Sequence, residues 1–300
     1  MNNYHVPILL KQVIKGLNII SKGVYVDMTY GSGGYSRAIL NSCKDITVIA
    51  FDCDKDAMQN KINDERLYLF HSNYRFFNNF LEYLNISQVD GIVVDLGVSS
   101  HQFDTASRGF SFRFDSKLDL RMNAESKITA EDVINKYQEE KLTQIFYNYG
   151  EIPFAEKISR AIVNQRNLKK ISTTYQLVEI LNPFAQKGKE HKFFAKVFQA
   201  LRIEVNDEIN ALKEMLIKSL NFLKPKSRMC IVTYHSLEDS IVKNFFRSGN
   251  FNGKIEKDIK GNPVQTPFIP VNKKPIIPDE NEIKENNRAR SAKLRIAEKL

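Results

Sequence analysis

The sequence predicts an α/β fold: a largely parallel β-sheet covered on both faces by helices, interrupted by an inserted domain that is mainly helical. Three observations carry this. Between Val24 and Leu96, short β-branched runs alternate with segments of helical length. Two of those runs, VIAF and IVVD, are apolar at consecutive positions, as strands covered on both sides are. From about Thr129 to Phe184 the pattern becomes helical with no strand between.

The elements follow in order. VYVDM, TVIAFD, LYLFHS and VDGIVVDLG read as four strands, with YSRAILNSC and FFNNFLEYL as helices among them. In the insert, Thr129 with Asp132 makes a capping box, Gly150 ends a helix, and Phe154, Ile158, Ala161 and Ile162 form one apolar stripe. Helical periodicity resumes from His191 to Leu223. The strand SRMCIVTYHS and the helix EDSIVKNFF then rejoin the first sheet. From Ser248 to Asn287 periodicity fades among Gly, Pro, Asn and Lys, which predicts a long irregular connection. In RSAKLRIAE, Ala292, Leu294 and Ile296 alternate with Ser291, Lys293 and Arg295, a closing strand. The expected domains are a core built from residues 1–105 and 193–300 and an insert over residues 106–192.

Composition narrows the function. With 300 residues, 42% hydrophobic and 26% charged, the chain is neither disordered nor collagen-like nor a small disulfide scaffold. Lys plus Arg number 44 against 35 Asp plus Glu, a net +9 that favours a polyanionic partner. No basic, then apolar leader opens the sequence and no apolar run approaches bilayer length, so a cytoplasmic protein without a membrane partner is expected. The three cysteines, Cys43, Cys53 and Cys230, form no CxxC pair and have no His at metal spacing. They read as reduced, buried thiols, and no metal is expected.

The chemistry gathers at strand ends. Asp27 closes the first strand and opens DMTYGSG, which places Gly31, Gly33 and Gly34 where backbone must turn or approach a ligand. That layout serves both dinucleotide enzymes and enzymes that use S-adenosylmethionine. A dinucleotide loop wants a third glycine where this chain has Ser36, and an acid at Asp27 would repel a pyrophosphate. The same acid suits a ligand carrying an ammonium and a sulfonium, so S-adenosylmethionine is favoured. Asp52, nineteen positions after Gly33 at the end of the second strand, is placed to accept bonds from ribose hydroxyls. Tyr74, just past the third strand, could lie against adenine or pack in the core.

Asp95 ends the fourth strand in the crevice where doubly wound sheets hold ligands, and could orient an exocyclic amine; a cap on the following turn is the alternative. Gln102 follows as a residue to hold cofactor or base. Between them and Met122, aromatics mix with arginines: Phe103, Arg108, Phe110, Phe112, Arg113, Phe114 and Arg121. Rings that stack on bases beside phosphate-binding arginines suit RNA, while rings on one face of an extended segment suit packing equally well. His235 and Ser236 meet at a strand-to-helix junction, but adjacent side chains on a strand diverge, so a Ser-His nucleophile is disfavoured. Ser236 with Asp239 reads as a helix cap, and His235 as a substrate contact. Arg288, Arg290, Lys293 and Arg295 add phosphate-binding charge near the end of the chain, as do Lys157, Arg160, Arg166, Lys169 and Lys170 in the insert.

The blocks HVPILL, DMTYGSGGYS, FDCDKDA, DGIVVDLGVSSHQFD, RGFSF, LDLRMN, YGE, FQALRIEVNDE, YHSLEDSIVKNFF and RARSAKLRIAE, spread over nearly the whole chain, together resemble the RsmH (MraW) family of bacterial 16S ribosomal RNA cytosine-N4 methyltransferases. The resemblance implies a Rossmann-like S-adenosylmethionine-binding core with a helical substrate-recognition insert, and the decoding-centre cytidine as target. It implies S-adenosylmethionine contacts at Gly33, Gly34, Tyr35, Asp52, Tyr74, Asp95 and Gln102, beside Asp27 and Gly31 in the loop. Two loop positions depart from the family's usual DGTFGxGGHS: Met28 stands for a glycine and Tyr35 for a histidine. The implied partner is 16S ribosomal RNA within the small subunit or a late precursor, not DNA, with S-adenosylhomocysteine as product; a homodimer is entertained, with no pattern to fix it. Direct in-line transfer fits both lines of reasoning. A C5 methyltransferase needs a cysteine nucleophile, and here Cys43 falls on a helix, Cys53 in a turn and Cys230 in mid-strand.

Overall fold

The computed structural model describes residues 7–300, so His5 and Val6 of the HVPILL block lie outside the described residues. In chain order the elements are α1 (Leu10–Leu17), β1 (Val24–Asp27), α2 (Gly34–Ser42), β2 (Thr47–Asp52), β3 (Leu67–His71), α3 (Phe77–Tyr83), β4 (Val89–Asp95), α4 (Ser100–Asp104), α5 (Ala130–Lys136), α6 (Glu139–Asn148), α7 (Ala155–Leu168), α8 (Thr174–Leu181), α9 (Glu190–Asn206), α10 (Glu208–Phe222), β5 (Leu223–Thr233), α11 (Ser236–Ser248), β6 (Phe268–Pro270), α12 (Glu280–Glu285) and β7 (Lys293–Lys299). The chain divides into two compact units. One takes the chain through Gly97 with Asn210–Leu300, the other is Val98–Ile209.

The first unit is built on a seven-stranded sheet of order β3-β2-β1-β4-β5-β7-β6. Strands β1 to β5 run parallel, while β7 is antiparallel to β5 and β6 to β7. The consecutive apolar runs do lie in strands covered on both faces: Val48, Ile49, Ala50 and Phe51 of β2 and Ile92, Val93 and Val94 of β4 are wholly buried. On one side Ile39, Val13, Leu17, Val48, Ala50, Val93, Cys230 and Ile296 form a single core. The strand predicted at Ser227–Ser236 starts earlier, at Leu223, and ends at Thr233, leaving Tyr234 and His235 beyond its last hydrogen-bonded residue.

The C-terminal region corrects the sequence reading in two respects. The stretch read as irregular contains β6, which pairs with β7 as the sheet's edge, and the short helix α12. Its three residues and its proline give too little periodicity to register. In β7, Arg295 does not face solvent as the alternation predicts: it is 8% exposed, and its guanidinium donates to Asp239 of α11 at 2.7 and 3.1 Å. Both faces of β7 are covered there, and the pairing makes a buried charge tolerable. Of the cysteines only Cys230 is buried; Cys43 and Cys53 are half-buried.

Just before α1 the chain forms a strap. The Tyr35 hydroxyl of α2 donates to the Ile8 carbonyl at 2.5 Å, and the Leu9 N–H donates to Glu282 of α12 at 2.5 Å.

The second unit is helical with its own core, including Phe146, Ile158, Ile162, Leu177 and Leu181. The Thr129–Asp132 capping box forms at α5, and a second, Thr173–Gln176, opens α8. The α7 stripe is Ala155, Ile158 and Ile162, with Phe154 at the N-cap and 37% exposed. The sequence bounds of 106–192 fall inside this unit. Its core extends upstream to Val98 and Phe103 and downstream to Phe193, Phe194, Val197, Phe198 and Leu201 of α9, a helix whose periodicity alone cannot say which core it joins.

Candidate functional site

The order of the strands makes the site. From β1 the chain winds outward to β2 and β3, then crosses back to β4 on the other side of β1. The carboxyl ends of β1 and β4 therefore flank the crevice at which a doubly wound sheet takes its ligand. Asp27, Asp52 and Asp95 are the last residues of β1, β2 and β4.

Asp27 is fully buried, its carboxylate accepting from the Ser36 hydroxyl at 2.7 Å and the Thr29 N–H at 3.2 Å. Ser36, which sequence reading registers only as a missing third glycine, is thus the residue that holds the acid. Burial raises the Asp27 carboxyl to about 6, against the lowering effect of Ser36 and Thr29. Asp52 accepts from the Gly31 N–H at 2.7 Å and the Asp54 N–H at 2.8 Å. Its carboxyl also rises to about 6, first through burial and then through the neighbouring Asp54 charge. Each of its oxygens keeps a lone pair for a further donor.

Asp95 is fixed from two sides. Its N–H donates to Thr29 Oγ1 at 2.7 Å, and its Oδ1 accepts from the Tyr234 hydroxyl at 2.7 Å. Burial, with the charges of Asp27 and Glu238, raises it to about 7 despite the Tyr234 bond. Among the described residues no Lys or Arg pairs with Asp27, Asp52 or Asp95. Three unneutralised carboxyl groups at adjacent strand ends make a local field that favours a cation.

The loop between β1 and α2 is shaped by its glycines. Gly33 sits at φ +78°, and a Cβ there would lie 2.6 Å from the Tyr30 hydroxyl. Gly31, at φ +54°, faces open space, so ligand atoms can come close to the backbone. Gly34 and Tyr35 open α2, where first-turn N–H groups have no partner within the helix. The Tyr35 side chain is buried and its hydroxyl is engaged by Ile8, so what it can present to a ligand is backbone. Met28 is likewise buried. Tyr74 begins a 3₁₀ turn after β3 and is half-buried.

At the end of β5, Glu238 accepts from the Tyr234 N–H at 2.9 Å. The helix cap predicted from Ser236 and Asp239 is made instead by His235, whose Nδ1 accepts from the Glu238 N–H at 3.4 Å; Asp239 is drawn away by Arg295. The sequence argument found Asp95 but missed its supports, Thr29 and Tyr234. Tyr234 stands inside the YHSLEDS block, yet nothing in its spacing pairs it with a residue 139 positions earlier.

The remaining candidates lie in the helical unit or the C-terminal region. Gln102 is buried in α4, and its amide oxygen accepts from the Ser99 N–H at 3.1 Å, closing a capping box. Phe110 is buried in the helical core and Phe112 packs against His191, Phe194 and Phe198. Of the two alternatives left open for these rings, core packing accounts for Phe110, while Phe112 packs on α9 and is half-buried. The Arg108 guanidinium donates through one nitrogen to the Arg121 and Met122 carbonyls at 3.0 and 2.8 Å. Arg113, Arg288 and Arg290 are exposed. Lys293, 3.4 Å from Asp239, and Arg295 are engaged by that acid. No helix among the described residues is long and apolar enough to cross a membrane.

The chain is similar over nearly its whole length to known proteins. A Ribosomal RNA small subunit methyltransferase H from Bacteroides fragilis is 53% identical over 99% of this chain and 97% of its own length. One of the same name from Bacteroides thetaiotaomicron is 52% identical over the same shares. A solved rRNA methylase from Streptococcus thermophilus covers 99% of both chains at 12% identity and a TM-score of 0.44. The model of the MraW methylase family matches residues 2–300, and this chain belongs to that family.

Proposed function

We propose that the chain transfers the methyl group of S-adenosylmethionine to the N4 amine of the decoding-centre cytidine of 16S ribosomal RNA. The observation that carries the reading is the trio Asp27, Asp52 and Asp95 at the switch point, raised in pKa and, among the described residues, without a cationic partner. Such a site fits a ligand with ammonium and sulfonium charges and disfavours a pyrophosphate. The relatives' shared name supports ribosomal RNA of the small subunit as substrate, and the net charge of +9 suits a polyanion.

When bound, S-adenosylmethionine supplies an electrophilic methyl group. The chain's own residues do the rest by positioning. Asp52 takes the ribose hydroxyls, the first-turn N–H groups of Gly34 and Tyr35 take the ligand's carboxylate, and Asp27 adds field from beneath the loop. Asp95, held by Thr29 and Tyr234, accepts a hydrogen bond from the cytosine amine and turns its lone pair toward the methyl group. Nucleoside mass spectrometry of small-subunit RNA from cells with and without the protein tests this. Loss of one N4-methylated cytidine is expected, and an unchanged profile refutes the reading.

A further inference from the structure

Beside Asp95 the first unit carries a cleft of about 320 Å³ that the reaction just described does not use. Tyr234 belongs to both: its hydroxyl bonds to Asp95, and the residue lines the cleft. Resting on the function proposed above, we infer that this cleft holds the nucleotide adjoining the methylated cytidine, so that RNA is gripped one step away from the reacting amine.

The lining is suited to a nucleotide. Arg290 and Lys293 line one side. Lys293 answers to Asp239, but the Arg290 guanidinium makes no hydrogen bond or ion pair among the described residues, which leaves a whole donor fork for a phosphate. Ile277, 65% exposed, offers an apolar surface to a base or sugar, and Ser236 a hydroxyl. His235 also lines the cleft, with a side chain only 9% exposed. Its Nδ1 caps α11, and its Nε2 lies buried 3.0 Å from Glu238 Oε1. The volume is that of a single nucleotide and too small for a duplex, in keeping with an extruded or looped target.

The test uses the full chain and unmodified small ribosomal subunits with tritiated S-adenosylmethionine. Arg290→Ala and Ile277→Asp change exposed side chains. Each is expected to raise KM for subunits about tenfold, with kcat within twofold and S-adenosylmethionine affinity and Tm unchanged. Arg290→Ala should also lower the log–log salt slope of RNA binding by about 1, a change that a packing role would not produce. Unchanged KM and salt slope in Arg290→Ala and Ile277→Asp would overturn the inference while methylation by the wild type stands. A wild-type chain that binds S-adenosylmethionine yet methylates no small-subunit RNA would instead bring down the underlying reading, and this one with it.

Discussion

Affinity for a cationic methyl donor should climb with pH in step with the three strand-end acids. In the free protein Asp27 and Asp52 titrate at about 6 and Asp95 at about 7, all raised by burial. A cation nearby favours the ionised forms, so binding expels whatever protons these groups still hold. Below pH 7 the free site holds more protons than the occupied one, and the association constant therefore rises with pH. If occupation ionises all three, affinity rises by up to about thirtyfold between pH 6 and pH 7.5. Asp95→Asn preserves an acceptor for the Tyr234 hydroxyl and removes the group with the highest pKa, and the rise should shrink to about fourfold. Calorimetry of S-adenosylmethionine binding in two buffers of different ionisation enthalpy gives both the constants and the protons released. S-adenosylhomocysteine, which lacks the sulfonium charge, should show a shallower dependence. A flat profile in the wild type, or a slope untouched by Asp95→Asn, would refute the electrostatic reasoning.

Gly33→Ala forces a side chain onto a residue at φ +78° and toward the Tyr30 hydroxyl; a left-handed alanine alone costs about 1–2 kcal/mol, and calorimetry should show at least a tenfold loss of donor affinity with the circular dichroism unchanged. Removing one member of the buried Asp239–Arg295 pair, as in Arg295→Met, should destabilise by about 3–5 kcal/mol in thermal melts, and Asp239→Leu added to it should restore much of the loss. Asp239 is held below the usual carboxylate range by Arg295 against the effect of its burial, so this contribution is present at neutral pH and disappears as pH falls through its depressed pKa; acid melts of wild type against the double variant should converge. In the helical unit Phe146→Ala opens a cavity in a fully buried core and should cost about 3–5 kcal/mol by urea denaturation.

The parallel core was legible because β1, β2 and β4 are short, β-branched and largely apolar, and because an acid ends each of them, where a chain reader can see it. Asp27, Asp52 and Asp95 needed only period and position. What holds them did not show: Ser36 looked like a departure from a glycine pattern until its hydroxyl proved to bind Asp27, and Tyr234 reaches Asp95 only through the pairing of β4 with β5. Phe110 and Phe112 remain open on sequence alone. Their alternation with arginines is the same whether one face meets RNA or a hydrophobic core, and only the packing of α9 decides. Arg295 misled because alternation assumes one wet face, which β7 lacks where α11 lies against it. The edge strand β6 was too short for any periodic signal.

The strap at Ile8 and Leu9 ties the helix behind the glycine loop to a distant part of the sheet unit. It is anchored at one end to the helix that follows the glycine loop and at the other to a glutamate 273 residues away. The backing of the donor loop thus draws on segments far apart in the sequence. Without α12 the Tyr35–Ile8 bond would keep both its partners, while the Leu9 N–H would lose its Glu282 acceptor.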